Sequence, residues 1–293
     1  MKSKHLSHLL EINLAMIFMS TSGALGRYVD LPVPVTIGSR SLIAFLLLLV
    51  YCKWKGISLK VARRDVPIVL LSGLLMGIHW VTYFYALQWS NVAIGMLSLF
   101  TYPVITAFME PLILRTRLQR VHLLLGGLVM VGIYLLSPEL NFSNSYTLAI
   151  SIGVFSAVFY SLRNILLKAK AAQYHGSMLM VHQTGIVSVL LAPAFITAEI
   201  DLVLGQWQGI LALAILTTAI GHTLFLMTFK HFSITTVSIL SSIQPVYGIV
   251  IGALFLSEIP EPTTILGGML ILGSVVIESI RSKERKQRVI TRE

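Results

Sequence analysis

The sequence predicts an all-α membrane protein: ten transmembrane helices in two inverted five-helix repeats around a central cavity. Three observations predict it. Hydrophobic residues make up 56% of the chain and charged residues 12%, about half the charged share of an ordinary soluble protein and too little to coat a soluble fold. The apolar residues come in blocks of the roughly 20 residues that an α-helix needs to cross hydrocarbon. Two of these blocks carry a proline at matched depth, in "LFTYPVITAFME" (Leu99 to Glu110) and "SSIQPVYGIVIG" (Ser241 to Gly252).

In order, the spans fall near residues 9–29, 35–52, 66–88, 92–114, 122–138, 146–167, 177–197, 207–229, 235–256 and 262–281. Runs such as "LIAFLLLLVY" and "IVLLSGLLMGI" lack the alternation of barrel strands, so helices remain the only way to satisfy the backbone inside a bilayer. The first block follows a basic start, as a cleavable signal does, but Glu11 and Asn13 interrupt it; it is read as a retained span 1. A single cysteine, Cys52, excludes an internal disulfide.

All but Arg27 and Arg40 of the 22 basic residues fall before span 1, in or beside loops 2–3, 4–5, 6–7 and 8–9, or in the tail from Arg281. The opposite loops carry Asp30, Glu139, Glu199, Asp201, Glu258 and Glu261. The positive-inside rule makes the basic face cytoplasmic, with both termini inside, as in a multi-pass protein of the bacterial inner membrane. The net charge of +10 is scattered over short loops, and "RSKERKQR" reads as a membrane-proximal anchor. The bilayer, and no nucleic acid, is the expected partner.

The prolines belong to a repeat. Tyr102-Pro103 aligns with Gln244-Pro245, "LLGGLVMVG" (Leu124 to Gly132) with "ILGGMLILG" (Ile265 to Gly273), and Arg40 with Gln183. "GIHWVTYFYALQ" corresponds roughly to "AIGHTLFLMTFK". The near-constant offset divides the chain into repeats 1–142 and 143–293. Five spans per repeat is odd, so the second enters the membrane upside down, an arrangement suited to alternating access at a midplane site. Gly126, Gly127, Gly132, Gly267, Gly268 and Gly273 are read as close-packing positions.

Over nearly the whole chain these features resemble the drug/metabolite transporter superfamily, EamA type. The resemblance implies a basket of ten helices, a cavity lined mainly by spans 1, 3, 4, 6, 8 and 9, and outward movement of small metabolites, often amino acids or related compounds. One departure is visible: Glu258 follows the second proline span in "LFLSEIPEP", whereas the first half reads "LILRTRLQR". Glu258 is therefore read as a cap of span 10 beside Pro262.

Ionisable groups inside spans are functional candidates because their burial is costly. His79 is followed by Trp80, Tyr83, Phe84 and Tyr85, and helical spacing puts His79 and Tyr83 on one face. His222 lies near the repeat counterpart of Trp80. The two histidines either hold a substrate carboxylate or exchange a proton near neutral pH; alternatively they are neutral and hydrogen-bonded within the bundle. Arg40 is too deep to snorkel and needs a partner or a substrate anion; with span 2 outside the implied cavity lining, structural pairing is favoured. Arg27 is expected to pair with Asp30. Glu110, beside Pro111, either carries a proton or neutralises Arg115 or Arg117, the second being preferred. Arg163 with Asn164 is similarly open, and His182 with Gln183 is expected to make interhelical hydrogen bonds.

The expected solute-binding set is His79, Trp80, Tyr83, Tyr102, Tyr160, His222, Gln244 and Tyr247. His79, His222, Glu110 and Arg40 are the candidates for handling protons or charge. Pro103 and Pro245 are expected to kink their helices and free carbonyls one turn earlier. HExxH, GxSxG, paired prenyltransferase aspartates and a Walker loop are all missing from the sequence, so no enzyme, metal, cofactor or direct ATP drive is expected. The expectation is a permease for a small, amphipathic solute, with a monomer sufficient for it. A non-transporting membrane scaffold or sensor is the competing class.

Overall fold

A computed structural model describes residues 2–114, 120–136, 141–171, 173–228, 230–231, 237 and 240–290. Every regular element among them is helical. The long helices are α1 (Lys2–Tyr28), α2 (Val33–Trp54), α3 (Val66–Trp89), α6 (Arg120–Leu136), α7 (Ser145–Ala171), α8 (Gly176–Leu191) and α13 (Pro262–Ile290). Shorter pieces are α4 (Val92–Leu99), α5 (Tyr102–Leu114), α9 (Ile200–Gly205), α10 (Trp207–Ala212), α11 (Thr223–Thr228) and α12 (Gln244–Leu256).

Among the described residues, six stretches are long and apolar enough to cross a bilayer: Val33–Trp54, Arg63–Trp89, Val92–Ile113, Ser145–Lys168, Gly176–Phe195 and Trp207–Thr228. Three shorter apolar helices join them, Leu123–Leu136, Gln244–Leu256 and Pro262–Ile277. The protein is thus a multi-pass, all-helical membrane protein.

Local chemistry sets the helix ends. Pro34 and Pro67 stand in the first turns of α2 and α3, where a missing N–H leaves no bond unmade. Gly56, at φ 65°, takes the left-handed turn after α2. Asn91 caps α4 by accepting the Ile94 N–H at 2.9 Å.

Three interruptions shape the interior. Between α4 and α5 the helix stops at Leu99 and restarts at Tyr102, so Pro103 sits in the first turn of a new helix. Pro245 likewise opens α12. The prolines therefore act as helix starts, where the sequence had suggested kinks within continuous helices. Between α10 and α11, Leu213–His222 is wound as a π-helix, a widened turn common at functional sites.

The packing follows from these faces. α3 lies on α7, while α1 lies on the π-helical segment and α11. α2 packs on α8, and α6 on α13; α1 also meets α12, and α7 meets α4 and α5. α6 and α13 touch through glycine. A Cβ on Gly132 would stand 2.9 Å from the Gly267 carbonyl oxygen, and one on Gly267 would stand 2.6 Å from that of Gly132. Gly126 meets Phe108 and Gly268 meets Leu97, but Gly127 and Gly273 face open space, so two of the six expected contact glycines pack against nothing.

Candidate functional site

α1, α2, α3, α7, the break between α4 and α5, the start of α12 and the end of the π-helix line a cavity of about 20 Å³, room for roughly a single water. Its wall includes Arg40, His79, Trp80, Tyr83, Tyr160, His222 and Gln244, all buried. A larger, outward-opening groove of about 740 Å³ lies between α2 and α8, but its wall is almost wholly apolar. The converging polar groups are in the small central cavity.

His79 projects from the middle of α3. Its Nδ1 lies 2.8 Å from Ser156 Oγ on α7, and the same hydroxyl donates to the His79 carbonyl oxygen at 2.8 Å. A serine hydroxyl has one proton, and the carbonyl takes it. Nδ1–H must therefore be the donor to Ser156, which leaves Nε2 as the free nitrogen. Tyr160 stacks on the imidazole at a centroid distance of 4.5 Å and Tyr83 at 6.0 Å.

Arg40 comes from α2, outside the lining that the resemblance implied, yet it reaches the cavity. Nε and Nη2 donate to Thr218 Oγ1 at 3.1 and 2.8 Å. Thr218 in turn donates to the Leu213 carbonyl oxygen five residues back at 3.1 Å; the π-helical winding turns this hydroxyl inward. The guanidinium carbon sits 4.5 Å from the Trp80 ring centre and 5.2 Å from that of Phe84, close enough for cation–π attraction. The structural partners that hold it are a hydroxyl and two ring faces. Its Nη1 has no hydrogen-bond partner, nor have Trp80 Nε1 and His222 Nδ1. The Tyr83 hydroxyl faces Ser22 but misses hydrogen-bond geometry. His222 closes the wall opposite, its ring 5.4 Å from that of Trp80.

The remaining expected residues divide. Tyr102 is buried against Tyr160 (ring centres 4.9 Å apart) and shares a 2.9 Å bond with Ser241, one layer behind the cavity. Tyr247 packs at the edge of the apolar core and does not face the cavity. Glu110 lies well away, paired with Lys168 at 2.8 Å; its expected partners Arg115 and Arg117 lie outside the described residues. Arg27 pairs with Glu258 at 2.9 Å in place of Asp30, whose backbone instead bonds Gln206. Glu258 does not cap the last span: its other oxygen accepts the Val92 N–H at 2.8 Å. The left-handed turn at Ser257, φ 57°, aims it there. His182 bonds the Leu59 carbonyl oxygen rather than another helix.

Sequence reasoning counted Arg163 among the inner-face cations, but it is fully buried. Its Nη1 donates to Asn164 at 2.9 Å and its Nη2 to Gln183 at 2.7 Å. The pairing of Gln183 with Arg40 in the repeat alignment was the signal that position 183 belongs to an interior polar network.

The carbonyls ahead of the two prolines are both taken. Ser161 on α7 donates to the Tyr102 carbonyl oxygen at 2.9 Å, and Ser20 on α1 to that of Gln244 at 2.9 Å.

Comparison with known proteins decides the family. The model of the EamA-like transporter family matches residues 7–137 and again residues 147–280. The chain belongs to the EamA-like transporter family. A pseudopaline exporter of Pseudomonas aeruginosa is 26% identical over 254 residues, covering 86% of this chain and 88% of the exporter. An uncharacterized transporter of Archaeoglobus fulgidus is 27% identical over 199 residues, 67% of this chain and 70% of its own. One solved crystal structure superposes with a TM-score of 0.68 at 16% identity, covering 94% of this chain and 99% of that one, which supports the fold of this EamA-like member. Its family and relatives are transporters rather than enzymes.

Proposed function

We propose that this protein is a secondary transporter of the bacterial inner membrane. It exports a small amphipathic solute, of amino-acid-like size, by alternating access of two inverted five-helix halves, 1–142 and 143–293, with both termini cytoplasmic. The observation that carries the reading is a closed cavity, walled by both halves, in which aromatic rings surround polar groups that lack protein partners. A membrane scaffold would gain nothing from such a space.

Several observations support the two-halves reading. The family model matches twice in succession. Exchanging each span for its repeat counterpart turns the α3–α7 packing into that of the π-helical segment and α11 on α1. The same exchange turns α1–α12 into α7 against α4 and α5. Ser20 and Ser161 stand within one residue of the repeat offset that separates Tyr102 from Gln244, and each crosses to the opposite half. With α1 and the shorter apolar helices, the spans number ten.

A cavity of this size admits no solute as it stands, so binding requires the halves to part on one side. Clamps lie at both ends. At one, Arg27, Glu258 and the Val92 N–H tie α1, α12 and α4 together. At the other, Asp65 accepts from Lys170 and from the Tyr174 hydroxyl, each at 2.7 Å. Alternate release of such clamps is the ordinary logic of rocking transporters.

Purified protein in liposomes, screened against amino acids, nucleosides and organic acids with and without a pH step, tests the reading. Flux of at least one class above empty vesicles is expected; none for any would favour the scaffold. Loss of pH dependence in His79→Ala or His222→Ala supports proton coupling. Transport by the unaltered protein that is indifferent to pH, with full rates kept in both variants, removes that coupling from the account.

A further inference from the structure

From the unpaired donors around Arg40 we infer that the central site recognises its solute through a carboxylate, which Arg40 receives with the Trp80 N–H beside it. The inference rests on the cavity being the solute site proposed above and specifies what that site selects.

Charge is the first ground. No acidic side chain lines the cavity, and Arg40 is buried with a relative exposure of 1%. A second guanidinium, Arg163, is also fully buried and held by two amide oxygens and the Met180 sulfur, all neutral. Buried cations normally carry a counter-charge because their desolvation is not repaid by neutral neighbours. Here the counter-charge is left for the solute.

Geometry is the second ground. Thr218 occupies the side of the guanidinium formed by Nε and Nη2. The end-on fork is Nη1 with the second proton of Nη2, and among the described residues the buried Nη1 has no hydrogen-bond partner. That fork is the shape that grips two carboxylate oxygens in parallel. Trp80, whose ring carries the guanidinium, adds an N–H that is also unpartnered. Indole is a donor only, so it too requires an acceptor. His79 lines the same cavity, and with Nδ1–H committed to Ser156 its Nε2 is an acceptor suited to a donor elsewhere on the solute. The wall thus reads a carboxylate at one end and a hydrogen-bond donor at the other, between aromatic rings.

Matched probes test this in the full-length protein in detergent. Benzoate, benzamide and benzylamine differ in one group, and each is titrated while tryptophan fluorescence is followed, with Trp80→Phe as the control that assigns the signal. Benzoate is expected to bind at least about tenfold more tightly than benzamide, the worth of a charge-assisted bond, with benzylamine weaker still. Arg40→Met is expected to abolish the preference and Arg40→Lys to keep part of it. Arg40→Met is also expected to leave the unliganded Tm unchanged or higher, because it removes a buried charge with no ionic partner; a purely structural arginine would lower it. Equal binding of benzoate and benzamide, no benzoate binding, inorganic phosphate competing as well as benzoate, or an undiminished preference in Arg40→Met would each overturn the inference. If the preference holds but no solute crosses liposomes, the transporter reading falls and the carboxylate site stands. If solutes cross and their amides cross as fast as their acids, the reverse is true.

Discussion

Removing the Ser156 hydroxyl would leave both His79 Nδ1 and the His79 carbonyl oxygen without the partner they share. Ser156→Ala is therefore expected to destabilise the protein by about 1–3 kcal/mol, the usual cost of stranding a buried polar group, read as a lower Tm in detergent. The imidazole would also lose the bond that selects its tautomer, so solute affinity is expected to fall further than in a variant of equal Tm made elsewhere. At this scale the sequence singled out residues that the structure brings to one cavity, and was silent about what they touch. His79, Trp80, Tyr83 and His222 were legible because polar groups in apolar helices are costly and hence conspicuous. That Arg40 points inward was not, since it depends on the π-helical turn that brings Thr218 to it. Arg27 illustrates the same limit. Asp30 is its near neighbour in sequence, but Glu258 is its neighbour in space.

Helix contacts give a sharper test, because the glycines separate by what lies opposite them. Gly132→Ala and Gly267→Ala drive a methyl group into a facing backbone carbonyl. Each is expected to cost about 1–3 kcal/mol, the range for overpacking. Gly127→Ala and Gly273→Ala meet open space and are expected to be neutral or to stabilise by up to about 1 kcal/mol through helix propensity alone. Four melting curves decide it; equal effects at all four positions would refute the contact. The "LGG" motif marked these helices correctly, but all six glycines look alike in sequence. Only the crossing point of α6 and α13 distinguishes them. The prolines show a similar division. Their positions predict that the helix cannot run through unaltered, but whether it bends or restarts depends on the packing around the break, where Ser161 and Ser20 donate from across the interface to the Tyr102 and Gln244 carbonyls that begin the new helices.

For the molecule as a whole, the two clamps are expected to act as opposing latches. Glu258→Gln removes the charge that holds Arg27 and weakens its bond to the Val92 N–H, at a cost of about 1.5–3 kcal/mol. That loss shifts the balance between the two access states roughly tenfold to a hundredfold. Asp65→Asn loosens the other end by its bonds to Lys170 and Tyr174. With Cys52, itself buried, replaced by alanine, Ser22→Cys in the cavity wall reports the result. Labelling by a membrane-impermeant maleimide is expected to rise from one side in Glu258→Gln and from the opposite side in Asp65→Asn. A rise from the same side in both would rule out two-sided gating.

Composition and block length determined by themselves that this chain lives in a bilayer as helices, because those properties follow from transfer free energies summed over many residues and tolerate errors at any one of them. The histidine–aromatic face was likewise legible, since it is a periodic signal along the chain. What only the tertiary structure decided is the pairing of charges. Arg27 with Glu258, Asp65 with Lys170, and Arg40 with Thr218 and, among the described residues, no acid are set by helices distant in sequence meeting at angstrom precision. Electrostatic and hydrogen-bond energies fall off steeply with distance and angle. The chemistry of the site therefore had to wait for the packing that creates it.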